Sequence, residues 1–374
     1  MSATPRTSSA SSGSPPSSFS SDHACENERR STSKRRTAVT DQEPVIPWTQ
    51  PGWFEQASVW VHLELERQGI EVSGTIEQPH SRPWSTVLRV PTSEGAIYFK
   101  ADSPVDPNEP VLIQSLARWR PDVVPEPLAV DTERGWLLMR DAGQMLRNTI
   151  RPTQDIRPWL PVLPIYTELQ VEMAQRVPEL LTLGVPDRRL SVLPGLYEPL
   201  LADVDVLRID QPLGLTSEQY RRLLDLSPRV AELCEELATH TIAETLNHGD
   251  LTDANVFVRD GRLIFLDWGD SCVSHPFYSL RTVLVSAEIS LGLEENSPEL
   301  QPLRDAYLEP WTRYESREDL LTALDLASRL ASINDALTWH RLVSRLEGLP
   351  REEYAEPVPA LLQEFLDAET TASE

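Results

Sequence analysis

Apolar residues recur along this chain at two spacings, and the change between them divides it. From Pro47 to Gly69, Trp53, Ala57, Trp60, Leu63 and Leu65 fall at helical intervals, and Gly69 supplies a stop. Three runs of strand character follow, Ile70–Ile76, Thr86–Val90 and Ala96–Lys100, with a Ser93-Glu94-Gly95 turn between the last two. The pattern then predicts a helix over Asp106–Trp119, capped by Asp106 or Asn108, with Pro110 in its first turn and Leu112, Leu116 and Trp119 apolar. A strand pair, Pro127–Val130 and Gly135–Met139, completes a small β-rich region near residue 140.

Beyond that point the helical period dominates. Thr216-x-x-Gln219 reads as a capping box, Ser227-Pro228 opens another helix, and Leu280–Leu293 and Leu320–Leu346 continue the pattern. A second β-rich patch, 246–267, interrupts them. The expectation is an α+β, two-lobed chain: a small β-rich N-terminal lobe at 43–140, then a larger, mainly α-helical lobe at 141–374.

Residues 1–42 stand apart. They hold twelve serines and almost no aliphatic side chains. Such a segment buries too little apolar area to offset its ordering entropy, so a disordered tail is expected. A targeting peptide fits less well, because no amphipathic apolar face is present.

Composition narrows the function. The 374 residues carry a net charge of −24, which argues against nucleic-acid partners, since phosphate contacts need clustered Lys and Arg. No apolar run approaches a membrane span, and Pro158–Tyr166 is short and proline-broken. Three cysteines without CxxC spacing exclude a disulfide framework and a structural zinc site. These features predict a cytoplasmic protein, and nothing in them bears on its oligomeric state. The basic residues are 32 arginines and only two lysines, Lys34 in the tail and Lys100 in the folded part.

Chemistry concentrates at 246–278. Asp260-Gly261 is a two-residue hairpin signal between Val256–Arg259 and Arg262–Leu266. Counting outward sets Arg259 opposite Arg262 and Asn255 opposite Leu266, so Asn255 and Asp267 become diagonal neighbours at the hairpin mouth. An amide oxygen and a carboxylate there suit a hard divalent cation, above all Mg²⁺. Asp250, one loop away, suits a base for a hydroxyl nucleophile. Asp-x4-Asn followed by Asp-x-Gly at a strand end is the pattern of phosphoryl transfer.

His248-Gly249-Asp250-Leu251-x3-Asn255 with Asp267-Trp268-Gly269 resembles the aminoglycoside phosphotransferase family, within the protein-kinase-like group that includes choline kinases. The resemblance spans roughly residues 70–345. It implies a kinase that transfers the γ-phosphate of ATP (or GTP) to a small-molecule hydroxyl, with Asp250 as the catalytic acid-base group and Asn255 and Asp267 holding Mg²⁺. His248 and Gly249 then shape the loop. Lys100 is expected at the nucleotide phosphates, paired with Glu109, a task for a compact point charge that arginine's planar fork does not reproduce. Glu109 also suits a helix N-terminus for its charge alone. Leu137–Gly143 looks like the hinge between lobes, where backbone groups of Arg140 and Ala142 would meet the adenine edge. A metabolite kinase of the choline, homoserine or sugar type is the alternative, as is an inactive nucleotide-binding relative.

Three departures from the family pattern stand out. The phosphate-covering loop Glu77–Ser85 has no glycine, leaving Ser85 and Thr86 as its donors. Thr252 occupies a position where many relatives have His. Ser279 stands where relatives usually place a bracing Asp. Elsewhere, Cys272 reads as a small buried residue, His275-Pro276 as a structural turn, and Trp339-His340-Arg341 as either core or wall of an acceptor site.

Overall fold

The structure, a computed structural model, describes residues 46–103, 108–294, 297–344, 346, 351 and 353–373. The expected tail at 1–42 and the expected cap at Asp106 lie outside the described residues.

Helix α1 (Trp53–Arg67) buries Trp53, Ala57, Val61 and Leu65, an i, i+4 stripe, while Leu63 is exposed. The stripe lies against an antiparallel sheet of β1 (Glu77–Ser81), β2 (Ser85–Thr92), β3 (Gly95–Asp102), β4 (Pro127–Asp131) and β5 (Trp136–Arg140), ordered β1-β2-β3-β5-β4. Trp53, Trp60, Phe99 and Trp136 meet largely edge-on between helix and sheet, with centroids 5.4 to 6.3 Å apart. Such pairs add to their area burial and fix how α1 sits. Helix α2 (Asn108–Trp119) follows β3.

The edge strand is not where the apolar pattern predicts it. Ile70–Ile76 pairs only through a single Val72–Thr92 bridge, and β1 is formed instead by Glu77–Ser81, all five residues exposed. The segment at 70–76 runs beside the end of β2, where Ser73 N–H donates to Pro91 O and Ser93 N–H to Glu71 O. Pro91 has no N–H to extend that ladder.

After the sheet come β6 (Gln144–Met145), α3 (Arg147–Thr153), α4 (Val162–Ala174), α5 (Val177–Thr182), α6 (Leu193–Ala202), α7 (Val204–Leu207), α8 (Ser217–Asp225) and α9 (Ser227–Leu237). The capping box at Thr216 and Gln219 is formed, with both reciprocal hydrogen bonds. Strands β7 (Thr245–Asn247), β8 (Val256–Arg259), β9 (Arg262–Phe265) and β10 (Cys272–Ser274) then precede α10 (Tyr278–Leu291), α11 (Gln301–Leu308), α12 (Arg317–Val343) and α13 (Pro357–Ser373).

A second core fills this helical part. It gathers α4, the β8–β9 hairpin and the buried face of α12 around Tyr166, Phe265 and Trp268. The segment 158–166 leads into α4 and is packed in that core, with Trp159, Leu163 and Tyr166 wholly buried. No helix among the described residues is long and apolar enough to cross a membrane.

Candidate active site

Two registers bring the predicted residues together. In the sheet, Lys100 pairs with Val87 of β2 and Leu137 of β5, so it sits on the central strand β3. In the hairpin, Arg259 faces Arg262 and Val256 faces Phe265, and Leu266 N–H donates to Asn255 O at 2.9 Å. That is the register the two-residue turn predicts.

Lys100 is buried, and its Nζ donates to Glu109 Oε2 and to Asp267 Oδ1 at 2.6 Å, with Asp102 Oδ1 3.7 Å away. Burial alone would pull its ammonium down, but Asp267, Glu109 and Asp102 outweigh it and hold the proton well above the ordinary range. Glu109, in the first turn of α2, also accepts the Trp268 N–H at 2.9 Å through Oε1. One carboxylate thus joins β3 to the loop after β9. Burial, and next the negative charge of Glu109, push Asp102 well up.

Asp267 adopts a left-handed backbone, φ 64°, a conformation that Asp tolerates better than most side chains. The turn swings its half-exposed carboxylate toward Lys100. Burial works to raise this group, yet Lys100's charge and hydrogen bond hold it below the usual carboxylate range.

The 248–255 loop is fastened from below. His248 is wholly buried against Trp268, ring centroids 4.5 Å apart. Its Nε2 lies 2.9 Å from Leu266 O, and its Nδ1 accepts the Asp250 N–H at 3.3 Å. Burial drives its pKa down to about 4, so it is neutral, with the proton on Nε2 facing Leu266 O. Gly249 has φ +82°, and a Cβ there would fall 2.1 Å from Asp270 O. Only glycine fits.

Asn255 Nδ2 donates to Asp250 Oδ2 at 2.7 Å and to Asp250 O at 2.9 Å. Its Oδ1 is the amide's other pole. Burial first, then repulsion from Asp267 and Asp270, raises the Asp250 carboxyl to about 7 against the Asn255 hydrogen bond. A carboxyl poised there can take a proton from a hydroxyl.

Ser279 occupies the bracing position. Its Oγ donates to Asn247 Oδ1 at 2.7 Å and lies 2.8 Å from Tyr166 Oη, which in turn accepts the His248 N–H at 3.0 Å. A neutral hydroxyl chain thus supports the loop in this chain.

A cavity of about 590 Å³ lies between sheet and helices, lined by Ser85, Lys100, Asp102, Asp250, Thr252 and Asp267 on one side and by residues of α10 and α12 on the other. Glu109 stands behind Lys100, and Arg140 and Ala142 lie at the hinge, away from the cavity lining. Arg140 N–H already donates to Glu126 O at 3.2 Å, and its guanidinium pairs with Glu94 and Glu126. Thr86 turns inward and its hydroxyl donates to His80 O at 2.8 Å, so of the two expected loop donors only Ser85 reaches the cavity.

The sequence reading missed several neighbours. Trp84, at the tip of the glycine-free turn, crosses to Tyr354 and Trp339 with centroids 4.9 and 6.1 Å away. Arg82 hydrogen-bonds Tyr354, and Trp48 Nε1 donates to Arg82 O at 2.9 Å. Trp339 and Arg341 line the cavity, whereas His340 turns away to Asp203, 3.0 Å distant. Asp270 pairs with Arg341, Asp335 with Arg281, and the buried Asp253 with Arg147. The partners are 54 to 106 residues apart, so no local pattern announces them. Cys272 and His275 are buried, as small core residue and turn.

A five-stranded sheet over a helical lobe, with an Asp–Asn loop and a strand-end Asp facing one buried lysine, defines a kinase-like phosphotransferase that acts on hydroxyl groups. The family model of the APH phosphotransferase enzyme family matches residues 116–320, more than half of the chain, and the chain belongs to that family. Among solved structures it is similar to an ethanolamine kinase of Plasmodium vivax, at 13 % identity and TM-score 0.56, covering 85 % of this chain and 91 % of that one. A choline/ethanolamine kinase family protein from Mesorhizobium loti gives 15 % and 0.55, covering 84 % and 95 %. A choline kinase from Streptococcus pneumoniae gives 14 % and 0.51, covering 83 % and 99 %. At these identities the likeness is one of fold. No curated protein sequence matches the chain.

Proposed function

We propose that the protein transfers the terminal phosphoryl group of ATP, or GTP, to a hydroxyl of a small molecule with Mg²⁺, and that it works in the cytoplasm, where such nucleotides are supplied. The observation that carries this reading is Asp250. Its carboxyl lies near pKa 7 in the same cavity as Lys100 and Asp267, oriented by Asn255.

In this reading Asp250 accepts the hydroxyl proton as the acceptor oxygen bonds to the γ-phosphorus and the bond from that phosphorus to the β-phosphate oxygen breaks. The products are ADP (or GDP), the phosphate ester and one proton. Lys100 binds the phosphates as a point charge, and Glu109 keeps it in place. Ser85 offers its hydroxyl to the same phosphates. The Arg140 carbonyl and the Ala142 N–H take the adenine edge. Asn255 Oδ1 and the Asp267 carboxylate would hold Mg²⁺. These are hard oxygen donors, and few protein ligands are needed where phosphates complete the shell. When bound, the ion neutralises phosphate charge.

The test is transfer of labelled γ-phosphate across a panel of hydroxyl acceptors, with wild type and Asp250→Asn side by side. The reading predicts transfer to at least one acceptor by wild type and its loss in the variant. Failure of wild type to bind nucleotide would end it.

A further inference from the structure

The part of the cavity away from Lys100 is built from two helical stripes. On α10, Thr282, Val285, Ser286 and Ile289 all line it, and on α12, Asp335, Thr338, Trp339 and Leu342 do. Both sets follow i, i+3, i+4, i+7, one face of each helix. On α10 polar and apolar side chains alternate along the stripe, and on α12 two polar ones are followed by two large apolar ones.

The carboxylates in this lining are already partnered. Asp335 Oδ2 accepts from Arg281 at 2.7 Å, and Asp270 Oδ1 accepts from Arg341 at 3.1 Å. Asp102 and Asp267 share Lys100. Asp250 is held by the Asn255 amide. A ligand with several ammonium groups would have to take Asp335 and Asp270 from the arginines that hold them, and Asp102 and Asp267 from Lys100. Each such exchange leaves a guanidinium or ammonium without its acid, so it gains little.

The apolar lining is unspent. Ile289 is 67 % exposed and Val285 37 % exposed, and both face the cavity. Across from them stand Trp339 and Leu342, and Trp84 closes over the side nearest the sheet. A single exposed isoleucine is ordinary. Five large apolar side chains around one cavity that also holds Asp250 make a binding wall.

We propose that the acceptor is an amphiphile, a hydroxyl on an apolar body with at most one positive charge, and that Val285, Ile289, Trp339 and Leu342 select it by burying that body. This rests on the phosphotransferase reading only in calling the ligand an acceptor. The affinity for apolar bodies and the indifference to polycations follow from the wall itself.

The test uses n-alkyl β-D-glucosides with chains of four to eight carbons as probes, and a tetra-amino aminoglycoside as the polycation. Binding to the full-length protein is followed by calorimetry, with intrinsic tryptophan fluorescence as a second readout. Affinity is expected to rise about fourfold per added methylene, the worth of burying one CH₂. Ile289→Asp, at an exposed position that the fold does not need, should remove most of that dependence, and Ile289→Leu should keep it. The polycation should bind more weakly than the longest glucoside. No dependence on chain length, a dependence that survives Ile289→Asp, absence of glucoside binding, or tighter binding of the polycation would each overturn the proposal. Nucleotide affinity is titrated in parallel. Its loss would refute phosphotransfer while leaving the alkyl series to decide the wall.

Discussion

The two walls of the cleft handle charge in opposite ways. On the sheet side, three carboxylates, Asp102, Glu109 and Asp267, crowd one ammonium on Lys100. On the helical side the acids pair with arginines: Asp270 with Arg341, Asp335 with Arg281 (which Glu364 also shares), and behind the wall the buried Asp253 with Arg147. Asp250 lies between the two and is held by an amide. Paired charges hold the framework, and the unbalanced ones sit where a cation and a proton would have to be handled. The difference separates structural acids from working ones without reference to any motif.

The comparison breaks most visibly at Asp250. Asp250→Asn keeps the contact with Asn255 in shape but removes the base, so turnover should fall by about 10²–10⁴, read from phosphate transfer at saturating nucleotide. The same change tests the raised carboxyl pKa. A folded-state value near 7 against an ordinary 3.8 means the folded protein binds this proton more tightly than the unfolded chain. Stability from this group is therefore complete below about pH 4 and lost as pH rises through about 7. Relative to wild type, the Asn variant should melt higher at pH 8 than at pH 5, by an amount on the order of 2 kcal/mol. An equal difference at both pH values would contradict the raised carboxyl.

On the crowded side, Lys100→Met should cost about 3 kcal/mol of stability, since it leaves buried acids without a cation. Thermal melting at pH 8 measures the loss, and melting at pH 5 should recover part of it as Asp102 and Glu109 take up protons. Lys100→Arg should fold better than Met yet lose most nucleotide affinity, because the planar fork does not reproduce a point charge in this slot.

The paired side should give the smallest change. Arg281→Met leaves Asp335 buried without its arginine and should cost about 1–3 kcal/mol, while adding Asp335→Asn should return much of it. Nucleotide affinity, measured by titration, should stay within a few-fold in both. A large drop would mean that the pair belongs to the nucleotide site.

Much of this arrangement is legible in the sequence because it is local. The Asp260-Gly261 turn fixes the hairpin register, and the register carries Asn255 and Asp267 to one mouth. Lys100 is conspicuous through the scarcity of lysine. What is not legible has no short-range signature. Strand β1 has no apolar alternation, since all of Glu77–Ser81 is exposed, and only pairing to β2 makes it a strand. Helices α3 and α6 carry Pro152 and Pro199 inside them, which masks the helical signal that packing restores. The Arg–Asp pairs depend on how α3, α10, α12 and the loops before β8 and β10 come together, and cannot be counted from spacing.

The glycine-free turn has a consequence in time. Pro83 limits the backbone, Ser103 N–H donates to Trp84 O at 2.8 Å, and Trp84 rests on Tyr354 and Trp339. A flexible phosphate loop opens cheaply and lets products drift out. This one is pinned at its tip to the opposite wall, so an exit past it requires three aromatic rings to separate. Under the proposed phosphotransfer, Trp84→Gly should speed release of the spent nucleotide, read as a faster dissociation rate in stopped flow.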